Sequence, residues 1–258
     1  MNQKPIHDSA AKGYTAAANT YVSGRPDYPP AIVNWLRDVV GLDATRTVLD
    51  LGAGTGKNLP NLRATGARLI AVEPVAAMRA LLAERYENVE VLDGTAEQIP
   101  LADATVDAVV CAQSFHWFAN AAALAEIRRV LKPGGVLGLI WNVRDESIAW
   151  VAQLERLTDA LRGDTPRFRT GAWRTLFPAE GFEALGEQQF PHAHTGPTGQ
   201  VIIDRTLSVS FIAALPEQKR EQVRQQVQAL IDSTPELAGH DTVSFPYQTL
   251  AVAFRKTA

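Results

Sequence analysis

The stretch best equipped for chemistry is Val48-Leu49-Asp50-Leu51-Gly52-Ala53-Gly54-Thr55-Gly56. Glycines at alternate positions let a backbone turn sharply and let a ligand come close to it. In parallel α/β sheets ligands bind beyond the carboxyl ends of the strands, where such a turn joins a strand to a helix. A bare glycine triplet also serves as a plain turn, so its flanks decide. Lys57 stands where the dinucleotide fingerprint needs its last glycine. Leu51 lies five residues before Gly56, and Asn58 follows Lys57, so the glycine and the Ser/Thr of a phosphate-binding loop are both missing. Asp50, two residues before the first glycine, would repel a pyrophosphate and attract an ammonium group such as that of a methionine moiety. Glu73 closes the next strand-like run, followed by Pro74. A carboxylate there is placed to accept hydrogen bonds from ribose hydroxyls, or is a surface glutamate at a strand end.

A second group follows the fourth and fifth strand-like runs. Gln113 ends the fourth and would sit beside a cofactor. His116 could act as a base, hydrogen-bond an acceptor, or cap the following helix. Phe115, Trp117 and Trp141 would wall an acceptor pocket or fill core. Asn142 could bond a substrate or simply end its strand. Near the start of the chain, Tyr14 and Tyr21, seven apart in a helical pattern, could present a ring to a cation or pack a helix down. Arg25 could hold a cofactor carboxylate or an acidic acceptor. In the C-terminal part, Arg205 is the residue best suited to an anionic acceptor. His192 and His194 lack the further ligands a zinc site needs, so no metal is expected.

The elements that must position these residues are legible between about 30 and 142. Apolar runs over 47–51, 68–72, 89–92, 106–112 and 136–141 alternate with helical patterns over 30–40, 58–65, 76–86 and 121–131. Five strands separated by helices predict a parallel sheet covered on both faces. An alanine-rich helix is expected over 9–21 and a turn at 132–135. Beyond 143, helices are expected over 147–161, 173–177, 201–214 and 216–231. A short strand is expected over 184–189, a loop over 195–199 and a last strand or pair over 242–255. One domain is expected: lid helices in 1–40, a binding core in 41–142, and a cap with closing strands in 143–258.

The totals bound the reading. The chain has 258 residues, 46% hydrophobic and 21% charged, enough for a large core without staples. Its net charge of −3 argues against nucleic acid as partner, since phosphate binding calls for a basic excess. One cysteine, Cys111, permits no internal disulfide. No apolar run reaches membrane-span length, and a cytoplasmic protein is expected.

Four segments together carry a resemblance. The glycine stretch resembles motif I of class I S-adenosylmethionine-dependent methyltransferases, and Ala71-Val72-Glu73-Pro74 is similar to their acidic second-strand motif. Gly94-Thr95-Ala96-Glu97-Gln98-Ile99-Pro100 resembles their adenine loop, with Thr95 where that family often has Asp. Arg129-Val130-Leu131-Lys132-Pro133-Gly134-Gly135 resembles their turn before the fifth strand. Residues 21–29, 113–118 and parts of the C-terminal region look like the trans-aconitate methyltransferase-like subgroup. The resemblance implies a Rossmann-like sandwich: a mostly parallel seven-stranded sheet with helices on both faces, N-terminal lid helices and a C-terminal helical cap. It implies S-adenosylmethionine as cofactor, held by Asp50, Gly52, Gly54, Gly56, Glu73, Pro74, Thr95, Ala96, Glu97, Gln113, Tyr14 and Arg25. It implies O- or N-methylation of a small molecule, with Phe115, Trp117, Trp141 and Arg205 toward substrate and His116, Asn142 and Tyr21 toward catalysis. Two other readings stay open: cyclisation or elimination of the same cofactor on the same fold, and a cofactor-binding protein without catalysis.

Overall fold

A computed structural model describes residues 24–257. Its centre is a mixed seven-stranded sheet in the order β3-β2-β1-β4-β5-β7-β6. The strands are β1 (Thr47–Leu51), β2 (Arg68–Val72), β3 (Glu90–Leu92), β4 (Val106–Ala112), β5 (Leu131–Arg144), β6 (Phe182–Pro197) and β7 (Thr242–Lys256). β1 pairs in parallel with both β2 and β4, β2 with β3, and β4 with β5. A central parallel strand is covered on both faces, so it reads as an apolar run without alternation. β1 shows this, with Val48 through Leu51 all buried. The strand order reverses between β1 and β4, and ligands bind at such a switch point.

Helices α1 (Ala31–Asp38), α2 (Leu59–Ala64), α3 (Ala76–Arg85) and α4 (Ala121–Val130) fall where the 3.6-residue periodicity predicts. Pro30 fixes the entry to α1, which buries Ile32, Trp35 and Leu36. Asn120 caps α4, its side-chain oxygen accepting the Ala123 amide at 3.0 Å.

Three expectations change. The turn over 132–135 does not precede β5 but lies inside it. Leu131 already pairs with Val106, and the register jumps so that Val136 faces Ala108. Gly134, at φ +74°, absorbs the irregularity. The short strand over 184–189 becomes the sixteen-residue β6, which takes in part of the expected loop; its many polar residues mask the alternation. The helix over 201–214 breaks into a wide turn at Gly199–Asp204, a short helix at Arg205–Leu207 and another at Ser210–Ala213. Hydroxyls bond back onto the backbone there, Thr206 to the Ile202 carbonyl and Ser208 to the Arg205 carbonyl, offering the chain alternatives to a regular helix.

The chain divides into two compact units. One comprises Tyr28–Asn142, Pro166–Pro191 and the chain from Thr249. Its core gathers Ile32, Leu36, Leu62, Ala71, Leu82, Val110 and Ile140. The other comprises Val143–Thr165, His192–Gln248 and residues 24–27. It carries α5 (Ala149–Asp159) and α6 (Glu217–Ser233) around Trp150, Leu154, Ile202, Ile212, Val227 and Phe245. The expected helix over 9–21, with Tyr14 and Tyr21, lies outside the described residues. No helix among the described residues is long and apolar enough to cross a membrane.

Candidate active site

The glycine turn leaves β1 at the switch point. Gly52, Gly54 and Gly56 have φ of +70°, +60° and +83°, a region that side chains other than glycine's enter at a cost. A Cβ on Gly52 would fall 2.7 Å from the Ser114 Cβ, and one on Gly56 would fall 2.7 Å from the Tyr86 ring. At Gly54 the nearest protein atom would be the Met78 sulfur, at 3.8 Å. Gly52 and Gly56 therefore fit the turn to its own protein, while Gly54 faces no such obstacle.

Glu73, at the end of β2, fastens this turn. One carboxylate oxygen accepts the Gly54 amide and the other the Val75 amide, each at 2.8 Å. The residue is buried, and burial raises its pKa against those two bonds. Pro74 follows, and Arg79 donates to the carbonyls of both Glu73 and Pro74. So Glu73 is no surface residue.

Asp50 is 1% exposed, and neither carboxylate oxygen has a hydrogen-bond partner among the described residues. Burial, then repulsion from Glu73, pushes its pKa up to about 7. The Thr55 hydroxyl and the Asn58 amide nitrogen are likewise buried without partners among the described residues. Native interiors leave few polar atoms in this state. Here they cluster along one turn of chain, from 50 to 58. An ammonium group would satisfy Asp50, and polar groups of a ligand would satisfy Thr55 and Asn58. Asp50 was legible from sequence, but Thr55 read only as part of the turn and Asn58 only as the first residue of a helix.

In the loop after β3, Thr95 bridges to Gln98, and Ala96 is buried. Glu97 accepts a hydrogen bond from the Asn120 amide at 2.9 Å, so the residue that caps α4 also holds Glu97. Gln113 follows β4 in the left-handed region at φ +59° and donates to the Asn142 carbonyl at 3.0 Å. A non-glycine residue held there marks strain, which clusters at functional sites.

Next to Gln113, the Trp141 indole N–H donates to His116 Nδ1 at 3.2 Å. Indole is a donor only, so this bond requires a lone pair on Nδ1 and places the proton of the neutral ring on Nε2. Trp141 in turn packs against Trp173 and Phe168, with ring centroids 4.5 and 4.9 Å away. Trp117 lies tilted against His116 at 5.4 Å. Phe115 is fully buried, packed edge-on against Phe118 and tilted against Phe177. The Asn142 side-chain oxygen accepts the Thr249 hydroxyl at 2.6 Å, which ties β5 to β7. Trp173 was legible only as a residue of the C-terminal cap, and Phe168 escaped the sequence reading because it is distant in the chain and lies in a short helical turn.

Arg25 and Arg205 belong to the other unit. Arg25 donates to the Ser208 carbonyl at 3.0 Å, and Arg205 Nε donates to the Tyr247 hydroxyl at 3.1 Å. His192 donates to the Asp27 carbonyl at 2.8 Å.

Known proteins bear on this arrangement directly. The methyltransferase domain family matches residues 49–139, the span holding the glycine turn, Glu73, the 95–97 loop and His116. An uncharacterised methyltransferase-like protein of Schizosaccharomyces pombe is 39% identical over 237 residues, 92% of each chain. Among solved structures, the [4+2]-cyclase SpnF matches with a TM-score of 0.60 at 19% identity, over 100% of this chain and 98% of its own. Geranyl diphosphate C-methyltransferase from Streptomyces coelicolor, solved with Mg2+, geranyl-S-thiolodiphosphate and S-adenosylhomocysteine, matches with a TM-score of 0.51 at 16% identity, over 88% and 76%. The two structures share the fold. The fission yeast relative, aligned along nearly the whole chain, shows more: this chain belongs to the S-adenosylmethionine-dependent methyltransferases, and the unpartnered polar atoms around its glycine turn suit that cofactor.

Proposed function

We propose that the chain methylates an oxygen or nitrogen of a small-molecule acceptor, and that His116 orients that acceptor by donating from Nε2. The observation that carries this reading is the Trp141–His116 bond. When bound, S-adenosylmethionine supplies a methyl group already activated by its sulfonium. The protein's work is then alignment and exclusion of water. With Nδ1 engaged by Trp141, a neutral His116 offers a proton and no lone pair at Nε2. Serving as a base through Nε2 would need the other tautomer and the loss of the indole bond. This arrangement suits an acceptor that needs no deprotonation and keeps its attacking lone pair when another of its lone pairs takes the imidazole proton's hydrogen bond, such as a carboxylate.

In this reading Asp50 takes the ammonium group of the cofactor, Glu73 its ribose, and the loop at Thr95, Ala96 and Glu97 its adenine. Gln113 braces the ends of β4 and β5 beside it. Trp117 supplies a wall for the acceptor, and Asn142 acts through the strand pairing it secures.

The test is to incubate the protein with S-adenosylmethionine alone and then with panels of carboxylates and amines, identifying the sulfur product by mass spectrometry. S-adenosylhomocysteine formed only with acceptor supports the reading. Methylthioadenosine formed without acceptor overturns it in favour of cyclisation or elimination. Tight binding with no turnover on any panel overturns it in favour of a regulatory protein.

A further inference from the structure

The unit formed by Val143–Thr165, His192–Gln248 and residues 24–27 contains three arginines close together: Arg25, Arg144 and Arg205. Arg144 ends β5 and is 9% exposed at its side chain. It pairs with the buried Glu155 on α5 at 2.7 Å. Burial, then repulsion from Arg205, lowers its pKa to about 10, and Arg25 adds to that repulsion. Three guanidiniums therefore share one low-dielectric region with a single carboxylate among the groups acting on Arg144.

Among the described residues, Arg205 is the member without compensation. It is 6% exposed, its Nε donates to the Tyr247 hydroxyl, and its Nη1 is buried with no hydrogen-bond partner among the described residues. No carboxylate among the described residues lies within ion-pair reach of it. A buried charged donor left unmade costs more than an ordinary unsatisfied hydrogen bond. A core that needed only packing would be served better by methionine or leucine there.

The surroundings are built to hold this guanidinium in place. Arg205 follows the wide Gly199–Asp204 turn, a distortion frequent at functional sites. Residues 24–27 press onto that turn. A Cβ on Gly24 would stand 2.8 Å from the Asp204 carbonyl carbon, so only glycine allows the approach. The same segment is held by the Arg25–Ser208 and His192–Asp27 bonds. Tyr247 is fixed by stacking on Phe245 at 4.9 Å, and Arg144 lies over the Phe245 ring at 5.6 Å.

We propose that this unit binds a small carboxylate on Arg205, with Arg144 and Arg25 adding positive charge around it. A carboxylate matches the guanidinium fork, and one negative charge compensates Arg205, since Arg144 already has Glu155. The site is assigned from this unit alone and does not depend on the proposed methyl transfer.

The test is direct binding to the full-length protein, with sodium succinate, sodium acetate and inorganic phosphate as probes, read by thermal shift and calorimetry. Saturable binding of a carboxylate to the wild type is expected. Arg205→Met should fold with an unchanged or higher Tm without ligand, because it removes an uncompensated buried charge, and should lose the binding. Arg205→Lys, which keeps the charge without the fork, should bind about tenfold more weakly, and it carries the test if Arg205→Met does not fold. No saturable carboxylate binding, phosphate binding alone, or equal binding by wild type and Arg205→Lys would overturn the proposal.

Discussion

The indole N–H of Trp141 on β5 and the Nδ1 of His116 after β4 stand 3.2 Å apart in a hydrogen bond that fixes one imidazole tautomer. Trp141→Phe keeps most of the ring packing against Trp173 and Phe168 but removes the donor. The expected result is a stability loss of about 1 kcal/mol. A larger fall, roughly tenfold or more, is expected in kcat/KM for the acceptor, with cofactor affinity unchanged. Steady-state kinetics with an acceptor identified by mass spectrometry would check it. An equal loss in cofactor binding would contradict the role given to this bond.

Asp50 makes the cofactor-free protein sensitive to pH. Its pKa rises from 3.8 to about 7 through burial and then the nearness of Glu73. Below the lower value the folded and unfolded chains both hold the proton. Between the two values only the folded chain keeps it, so stability falls as pH rises through this window, by roughly 2–4 kcal/mol. Glu73, raised in the same direction, adds to the trend. Asp50→Asn should flatten the dependence and stabilise the cofactor-free protein at pH 8. Cofactor affinity should move oppositely in the wild type, rising with pH as Asp50 becomes the anion an ammonium needs. Urea titrations and calorimetry at pH 5, 6.5 and 8 would show both trends.

Thr249 and Asn142 are 107 residues apart, and their bond joins β7 to β5. Thr249→Val keeps the shape and leaves the Asn142 oxygen without that donor. A stability loss of about 1–3 kcal/mol is expected. A double-mutant cycle with Asn142→Ala should show coupling, and strict additivity would contradict it.

The sequence made the cofactor half of the site legible because its residues are local. Asp50 and the three glycines lie on one strand and one turn, and Glu73 ends the neighbouring strand. Periodicity likewise placed β1 through β4 and their helices. The acceptor half was harder to read because it is assembled from distant segments. Trp173 and Phe168 reach Trp141 from short helical turns without periodicity, and Asn142 gains its partner only when β7 pairs with β5. The broken 201–214 segment misled for a related reason. Its apolar spacing is helical, but the hydroxyls of Thr206 and Ser208 divert the backbone. Arg144 and Glu155 gave no signal at all, since an ion pair between a strand end and a helix has no characteristic spacing.

Gly54 separates the cofactor seat from the fold most cleanly. The positive φ makes Gly54→Val cost about 1–2 kcal/mol of backbone strain, but the nearest protein atom would leave room for the Cβ. The decisive measurement is calorimetric titration of S-adenosylmethionine into wild type and Gly54→Val, with circular dichroism confirming that both are folded. One bound cofactor per wild-type chain, and none for folded Gly54→Val, is the predicted result. Equal affinity in the two proteins would contradict the assignment of the glycine turn as the cofactor's seat.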